Sequence, residues 1–222
     1  MLAVTGSVWD GDDLSRVASD PLVGTMGKDD FLVVLGDCGV MDPKKELSEN
    51  IREFRELPCS VLFVDGSRED YDALDDHPLF PWNGGLIQNI SRGILRLTRG
   101  QVFTIFGKTF LTLGGAATEG RSDRGKYYDW WPEQDPLPSD AENAVRNVTA
   151  VGGKVDFVLS CECPRSWRNE LGAYGTSAAS DVLQDVLDNV TYGHWYFGNY
   201  PVDRDLADVR ASVVKDRVIR LV

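Results

Sequence analysis

Four short apolar runs in this 222-residue chain end abruptly in residues that carry chemistry. Met1-Leu2-Ala3-Val4 leads into Thr5-Gly6-Ser7, Phe31 to Leu35 into Gly36-Asp37-Cys38-Gly39, Val61 to Val64 into Asp65-Gly66-Ser67-Arg68-Glu69, and Val155 to Leu159 into Ser160-Cys161. A layered α/β protein places its site at the carboxyl ends of its strands, so such residues are candidates for a metal or anion pocket. Several familiar motifs are missing. With two histidines, His77 and His194, no His-dependent triad can be assembled from these strand ends. Ser7, Ser67 and Ser160 lack a G-x-S-x-G context, and Gly114-Gly115 belongs to neither a Walker nor a dinucleotide fingerprint. Cys38, Cys59, Cys161 and Cys163 lack paired CxxC spacing and read as reduced, buried thiols. His77, before Pro78 in an acidic loop, is expected to be exposed, and His194 to be a structural imidazole.

The elements that must position these residues follow from the apolar patterning. The four runs read as strands buried on both faces. Leu47, Ile51 and Phe54 form one helical stripe within 46–56, and Val182, Leu183, Val186 and Leu187 another within 181–190. Residues 94–97, 101–105, 109–113 and 213–222, with turn signals such as Phe106-Gly107-Lys108, read as antiparallel hairpins. Residues 116–140, rich in Gly, Asp, Pro and aromatics, read as a functional or packing loop. The expected fold is a layered α/β (α+β) domain spanning 1–222, with two mixed β-sheets facing one another and helices outside.

Composition narrows the partners. Lys+Arg 23 against Asp+Glu 35 gives a net charge of −12, a field that repels nucleic-acid phosphates. No apolar stretch approaches the ~20 residues a bilayer demands, and the N-terminus lacks a basic segment followed by an apolar core, so a cytoplasmic protein with no membrane partner is expected.

Taken in order, the strand-end motifs resemble the calcineurin-like metallophosphoesterases, in particular small bacterial and phage members. The resemblance extends to Val64-Asp65-Gly66, Trp82-Asn83-Gly84-Gly85, Arg99 to Phe103, Gly114-Gly115-Ala116, Trp130-Trp131-Pro132-Glu133 and His194 to Gly198. It implies a four-layer sandwich and, in a working member, two metal ions that clamp a phosphoryl oxygen and activate a bridging water. The family's ligand motifs are broken here. Gly-Asp-x-His-Gly is similar to Gly6-Ser7-Val8-Trp9-Asp10-Gly11, with Ser7 for the Asp ligand and Trp9 or Asp10 for the His. Gly-Asn-His-Glu is similar to Gly66-Ser67-Arg68-Glu69, so the imidazole that would protonate the leaving group is lost. The later Thr-His is Ser160-Cys161, and the closing Gly-His-x-His is Gly198-Asn199-Tyr200-Pro201. Asp37 alone retains a family ligand.

The resemblance therefore implies a pseudoenzyme with no resident metal or other cofactor. Arg68 is expected to pair with Asp37 and fill the charge vacancy. Ser7, Asp10, Asp37, Ser67, Arg68, Cys161 and Asn199 would line the vestigial pocket. Asp37, Cys161 and Asn199, with Cys38 or Cys163, leave open a single mixed metal site, and Asp10 with Asp37 a weak Mg²⁺ site. The expected role is binding, with protein as the first class of partner and Tyr127, Tyr128, Trp130 and Trp131 as an anchor loop. Phage or mobile-element origin belongs to the same expectation. The alternatives are a one-metal or metal-independent phosphoesterase and a non-hydrolytic sensor of a nucleotide or phosphorylated ligand.

Overall fold

The computed structural model describes residues 1–117, 125–126 and 130–222. The β-branched run of each apolar segment forms a strand. β1 (Leu2–Thr5), β2 (Phe31–Leu35), β3 (Ser60–Val64) and β6 (Ile94–Leu97) lie parallel at the centre of a seven-stranded sheet. Antiparallel strands flank them: β13 (Ile219–Arg220) against β1, and β5 (Gly85–Ser91) then β4 (Leu79–Trp82) beyond β6. A second, six-stranded sheet has parallel β8 (Lys108–Leu113), β9 (Lys154–Ser160), β10 (Thr191–Phe197) and β12 (Ala211–Val213). Its edges are β7 (Gln101–Ile105) and β11 (Arg204–Leu206), both antiparallel.

The period-two alternation of strand side chains divides the core into layers. Leu2, Val4, Val33, Leu35, Leu62 and Val64 on one face meet Phe103, Phe110 and Leu159 from the other sheet. Ala3, Leu32, Val34, Val61 and Phe63 on the opposite face pack with residues of three helices: Val17 of α1 (Gly11–Ala18), Phe54 of α2 (Leu47–Arg55) and Leu74 of α3 (Tyr71–Asp75). Beyond the second sheet, α4 (Pro138–Ala150), α5 (Arg165–Arg168) and α6 (Ala178–Asn189) place Ala144, Trp167, Val182 and Val186 against Leu111, Leu113 and Trp195. The chain is thus mixed α/β, with two mixed sheets and several helices. Among the described residues no helix is long and apolar enough to cross a membrane.

Several expectations need correction. β7 and β8 form a hairpin across Phe106-Gly107, whose φ values of 49° and 75° suit a two-residue turn. Residues 94–97 and 101–105, by contrast, belong to different sheets, because the backbone crosses between them at Thr98-Arg99-Gly100. Residues 213–222 likewise divide, the start ending β12 and Ile219–Arg220 pairing with β1. The segment read as a loop up to 140 ends earlier, in α4. Pro138 opens that helix where its missing N–H costs nothing, and the Asp140 carboxylate accepts the Leu137 N–H at 2.8 Å.

Candidate functional site

The ends of the parallel strands converge, and close backbone approach brings them together. At Gly36 (φ 89°) a Cβ would collide with the Cys161 sulfur, and at Gly66 with the Asp37 backbone and carboxyl. Both positions need glycine for the loops after β2, β3 and β9 to stack. Asp37 (φ 48°) and Asn199 (φ 65°) are held in the left-handed region. Strained non-glycine conformations of this kind persist only where surrounding structure fixes them.

Asp37 is 6% exposed. Its Oδ1 accepts the Ser67 N–H at 2.7 Å and the Ser67 hydroxyl at 3.3 Å. Its Oδ2 lies 3.7 Å from Arg68 Nε, an ion pair too long for a hydrogen bond. The Arg68 guanidinium also sits 5.4 Å from the centre of the Trp9 ring. Behind Asp37 lies a second carboxyl, Glu69, fully buried, accepting from the N–H groups of Cys38 at 2.9 Å and Gly66 at 2.8 Å. Burial, and after it the Asp37 charge, push Glu69 up to about 8 against the pull of those N–H groups. Burial raises Asp37 too, opposed in part by Ser67 and Arg68. Two carboxyls in a dry site do not readily carry two charges, so the pair retains a proton near neutrality.

Two adjoining clefts, of about 270 and 420 Å³, share Asp37, Arg68, Asn199 and Tyr200. Ser7 and Asp10 line the smaller and Ser67 the larger. Six of the seven expected pocket residues are therefore gathered. Cys161 is not among the lining residues: it is 1% exposed, packed in the layer between the sheets, and burial holds its thiol well above the ordinary range. Asp10 is engaged as a helix cap, its Oδ1 accepting the N–H groups of Asp12 and Asp13 at 3.0 Å each.

This donor set does not suit a metal pair. Such a centre needs several carboxylate or imidazole ligands aimed inward. The strand ends supply hydroxyls, an amide, a buried thiol and Asp37, which faces a guanidinium; of the other carboxylates on the clefts, Asp10 caps a helix and Glu162 is held by Arg168, Ser177 and Ser180. Among the described residues no group of three or more His, Cys, Asp and Glu is arranged to hold a metal ion.

The anchor loop is corrected as well. Trp131 is 2% exposed and packs with the α2–α3 side of the core, its ring 6.5 Å from that of Tyr71, so it offers no surface. Trp130 is half-buried, and Tyr127 and Tyr128 lie outside the described residues. His77 is half-buried rather than exposed. His194 meets the Ser212 hydroxyl at 2.9 Å, as a structural imidazole should. All four cysteines are free and buried.

Two polar networks were missed in the sequence. Asp65, 0% exposed, receives both Arg96 and Arg99 together with the Tyr71 hydroxyl. Burial alone would raise its carboxyl; the two arginine charges outweigh that and hold it well below the usual carboxylate range. Glu162, on the wall of the larger cleft, accepts from Arg168 at 3.0 Å and from the hydroxyls of Ser177 and Ser180 at 2.5 and 3.1 Å. Glu69 was within reach of sequence reasoning, three residues after Gly66, as a side chain reaching back to a loop N–H. The other two nodes have no such local signal. No family model matches the chain, and no curated protein matches it.

Proposed function

We propose that the chain is a catalytically inactive relative of the calcineurin-like metallophosphoesterases, a four-layer sandwich that serves as a binding protein. The observation that supports this reading is the Arg68 guanidinium 3.7 Å from Asp37, a fixed positive charge set against the buried strand-end carboxylate. A guanidinium cannot be deprotonated at physiological pH, so it neutralises the site without a metal and takes the place of a proton-donating imidazole without its chemistry. Protein is the first class of partner in this reading. A cytoplasmic setting, in keeping with four reduced cysteines, and a phage or mobile-element origin complete it.

A second reading, of a non-hydrolytic sensor, draws on one specific feature. The Arg68 side chain is 47% exposed and lines both clefts, where Ser67 and Asn199 add donors. Guanidinium beside hydroxyl and amide groups recognises phosphate or carboxylate oxygens.

Metal analysis of the purified chain, with bis(p-nitrophenyl) phosphate assays in Mn²⁺, tests the inactive assignment. Substoichiometric metal and no turnover are expected, and hydrolysis abolished by Asp37→Asn would overturn it. Calorimetric titration of nucleotides and sugar phosphates against the native chain and Arg68→Ala separates the second reading from the first. Arg68-dependent binding supports a sensor, and no binding across the panel removes it.

A further inference from the structure

A groove of about 620 Å³ lies where the two sheets meet the start of α4, and it shares no residue with the Asp37 clefts. Tyr71, Leu86 and Pro132 contribute apolar surface to it. At its borders stand Leu79 on β4, 55% exposed, and Leu137 before α4, 61% exposed, two of the large hydrophobic side chains that the described surface leaves in water. Two exposed leucines facing one concave surface mark a contact site more than scattered apolar residues do.

Charge identifies what the groove would accept. Asp75, Glu133, Asp135 and Asp140 line it, against two cations, Arg96 and Arg99. Both guanidiniums are turned onto Asp65, with side chains only 12% and 11% exposed, and Arg99 is also 3.7 Å from Asp140, so the unbalanced charge of the groove lies with Asp75 and Glu133. Asp75 and Glu133 are exposed, and among the described residues neither carries an ion pair. The groove thus combines apolar surface, two exposed leucines among it, with uncompensated negative charge. β-Augmentation is disfavoured at its β4 border, because that edge strand carries Pro81, which has no N–H to donate.

We propose that this groove docks a basic segment of a partner protein, one or two leucine-like anchors seated between Leu79 and Leu137 and flanking Lys or Arg side chains set against Asp75 and Glu133. The proposal rests on reading the chain as a binding protein, but its test leaves Asp37 and Arg68 intact, so its failure leaves the strand-end site untouched. Complementary charge around an apolar anchor accelerates encounter and fixes register, while the anchors supply most of the affinity.

The test is selection of a random twelve-residue display library on the immobilised full chain, followed by fluorescence polarisation with the enriched peptides. Enriched peptides are expected to pair Leu, Ile, Phe or Met with Lys or Arg. Their binding should weaken at least tenfold in Leu137→Glu and in Asp75→Lys combined with Glu133→Lys, and severalfold between 0.05 and 0.5 M salt, as screening requires. These substitutions are at exposed positions, and circular dichroism checks that each variant folds. Arg68→Ala should bind as the native chain does. Enrichment of acidic peptides, enrichment of none, or binding unaffected by the groove variants would overturn the proposal. So would sedimentation showing a native dimer that Leu137→Glu dissociates, since a second copy would then be the occupant.

Discussion

Asp65→Asn isolates the contribution of one buried charge. The native carboxylate accepts five hydrogen bonds, two from Arg96, two from Arg99 and one from Tyr71, and it is 0% exposed. Asparagine keeps the volume but removes the charge and turns an N–H₂ group toward one guanidinium. Breaking one partner of a buried pair costs about 3–5 kcal/mol, because the remaining charge stays desolvated. Two arginines lose their counterion here, yet each keeps another acceptor: Gln88 Oε1 at 2.6 Å for Arg96, and the Glu133 carbonyl at 2.9 Å for Arg99. A loss of about 3–4 kcal/mol is expected, a large share of the ~5–15 kcal/mol a domain has. Urea denaturation at pH 7 measures it. Asp181→Asn is the contrast: its pair with Arg165 is also close, at 2.6 Å, but the two side chains are 64% and 49% exposed, so ~0–1 kcal/mol is expected. The pH dependence supplies a second check. The native Asp65 carboxyl is held below its unfolded value, so the unfolded chain binds more protons on the acid side. Its stabilisation is complete above about pH 4 and is lost as pH falls through the native value; the variant should lack that component. A loss below about 1 kcal/mol, or an unchanged acid limb, would refute the reasoning.

Glu69 should behave with the opposite sign. Its native carboxyl is raised to about 8, so the folded chain binds the extra proton and stability declines as pH rises from the ordinary glutamate value through about 8. Glu69→Gln should flatten that limb of the stability profile, and a profile that rises over the same window would count against the buried carboxyl pair. Trp131→Ala should cost ~3–5 kcal/mol by urea denaturation, as the loss of a large core side chain does; near-neutral behaviour would return Trp131 to the surface.

What the sequence disclosed was decided by the range of the interactions. β2 depends on five and β3 on four consecutive residues whose apolar character is local, and they lie where the runs place them. The gathering of Ser7, Asp37, Ser67, Arg68 and Asn199 was legible for a similar reason, since a residue just after a parallel strand goes to that end of the sheet whatever the loop does. Cys161 obeys the same rule in position but not in direction, because Gly36 makes room for its sulfur to turn inward between the sheets. Trp131 shows the same gap between place and orientation: an aromatic residue in a polar loop reads as a surface anchor until the core beneath Tyr71 is seen to need it.

The Asp65 node was illegible because nothing local calls for it. Its bonds to Arg96 and Arg99 span 31 and 34 residues, and no period in the chain sets them apart from solvated charges. Its position explains why a charge is kept there. Arg96 belongs to the last parallel strand of the first sheet, and Arg99 stands in the crossing to the second. Arg99 also binds the carbonyls of Glu133, Gln134 and Asp135, and Glu133 and Asp135 line the acidic groove. A hydrophobic replacement of the network could fill the same volume, but it would take the Arg99 bond from the Glu133 and Asp135 carbonyls and leave the Gln134 carbonyl only the Ala116 N–H. The carboxylate thus orients one guanidinium that fixes both the crossing between sheets and the groove wall. Asp65→Asn should therefore weaken peptide binding at the groove as well as stability, while Asp181→Asn should leave binding unchanged and cost no more than about 1 kcal/mol.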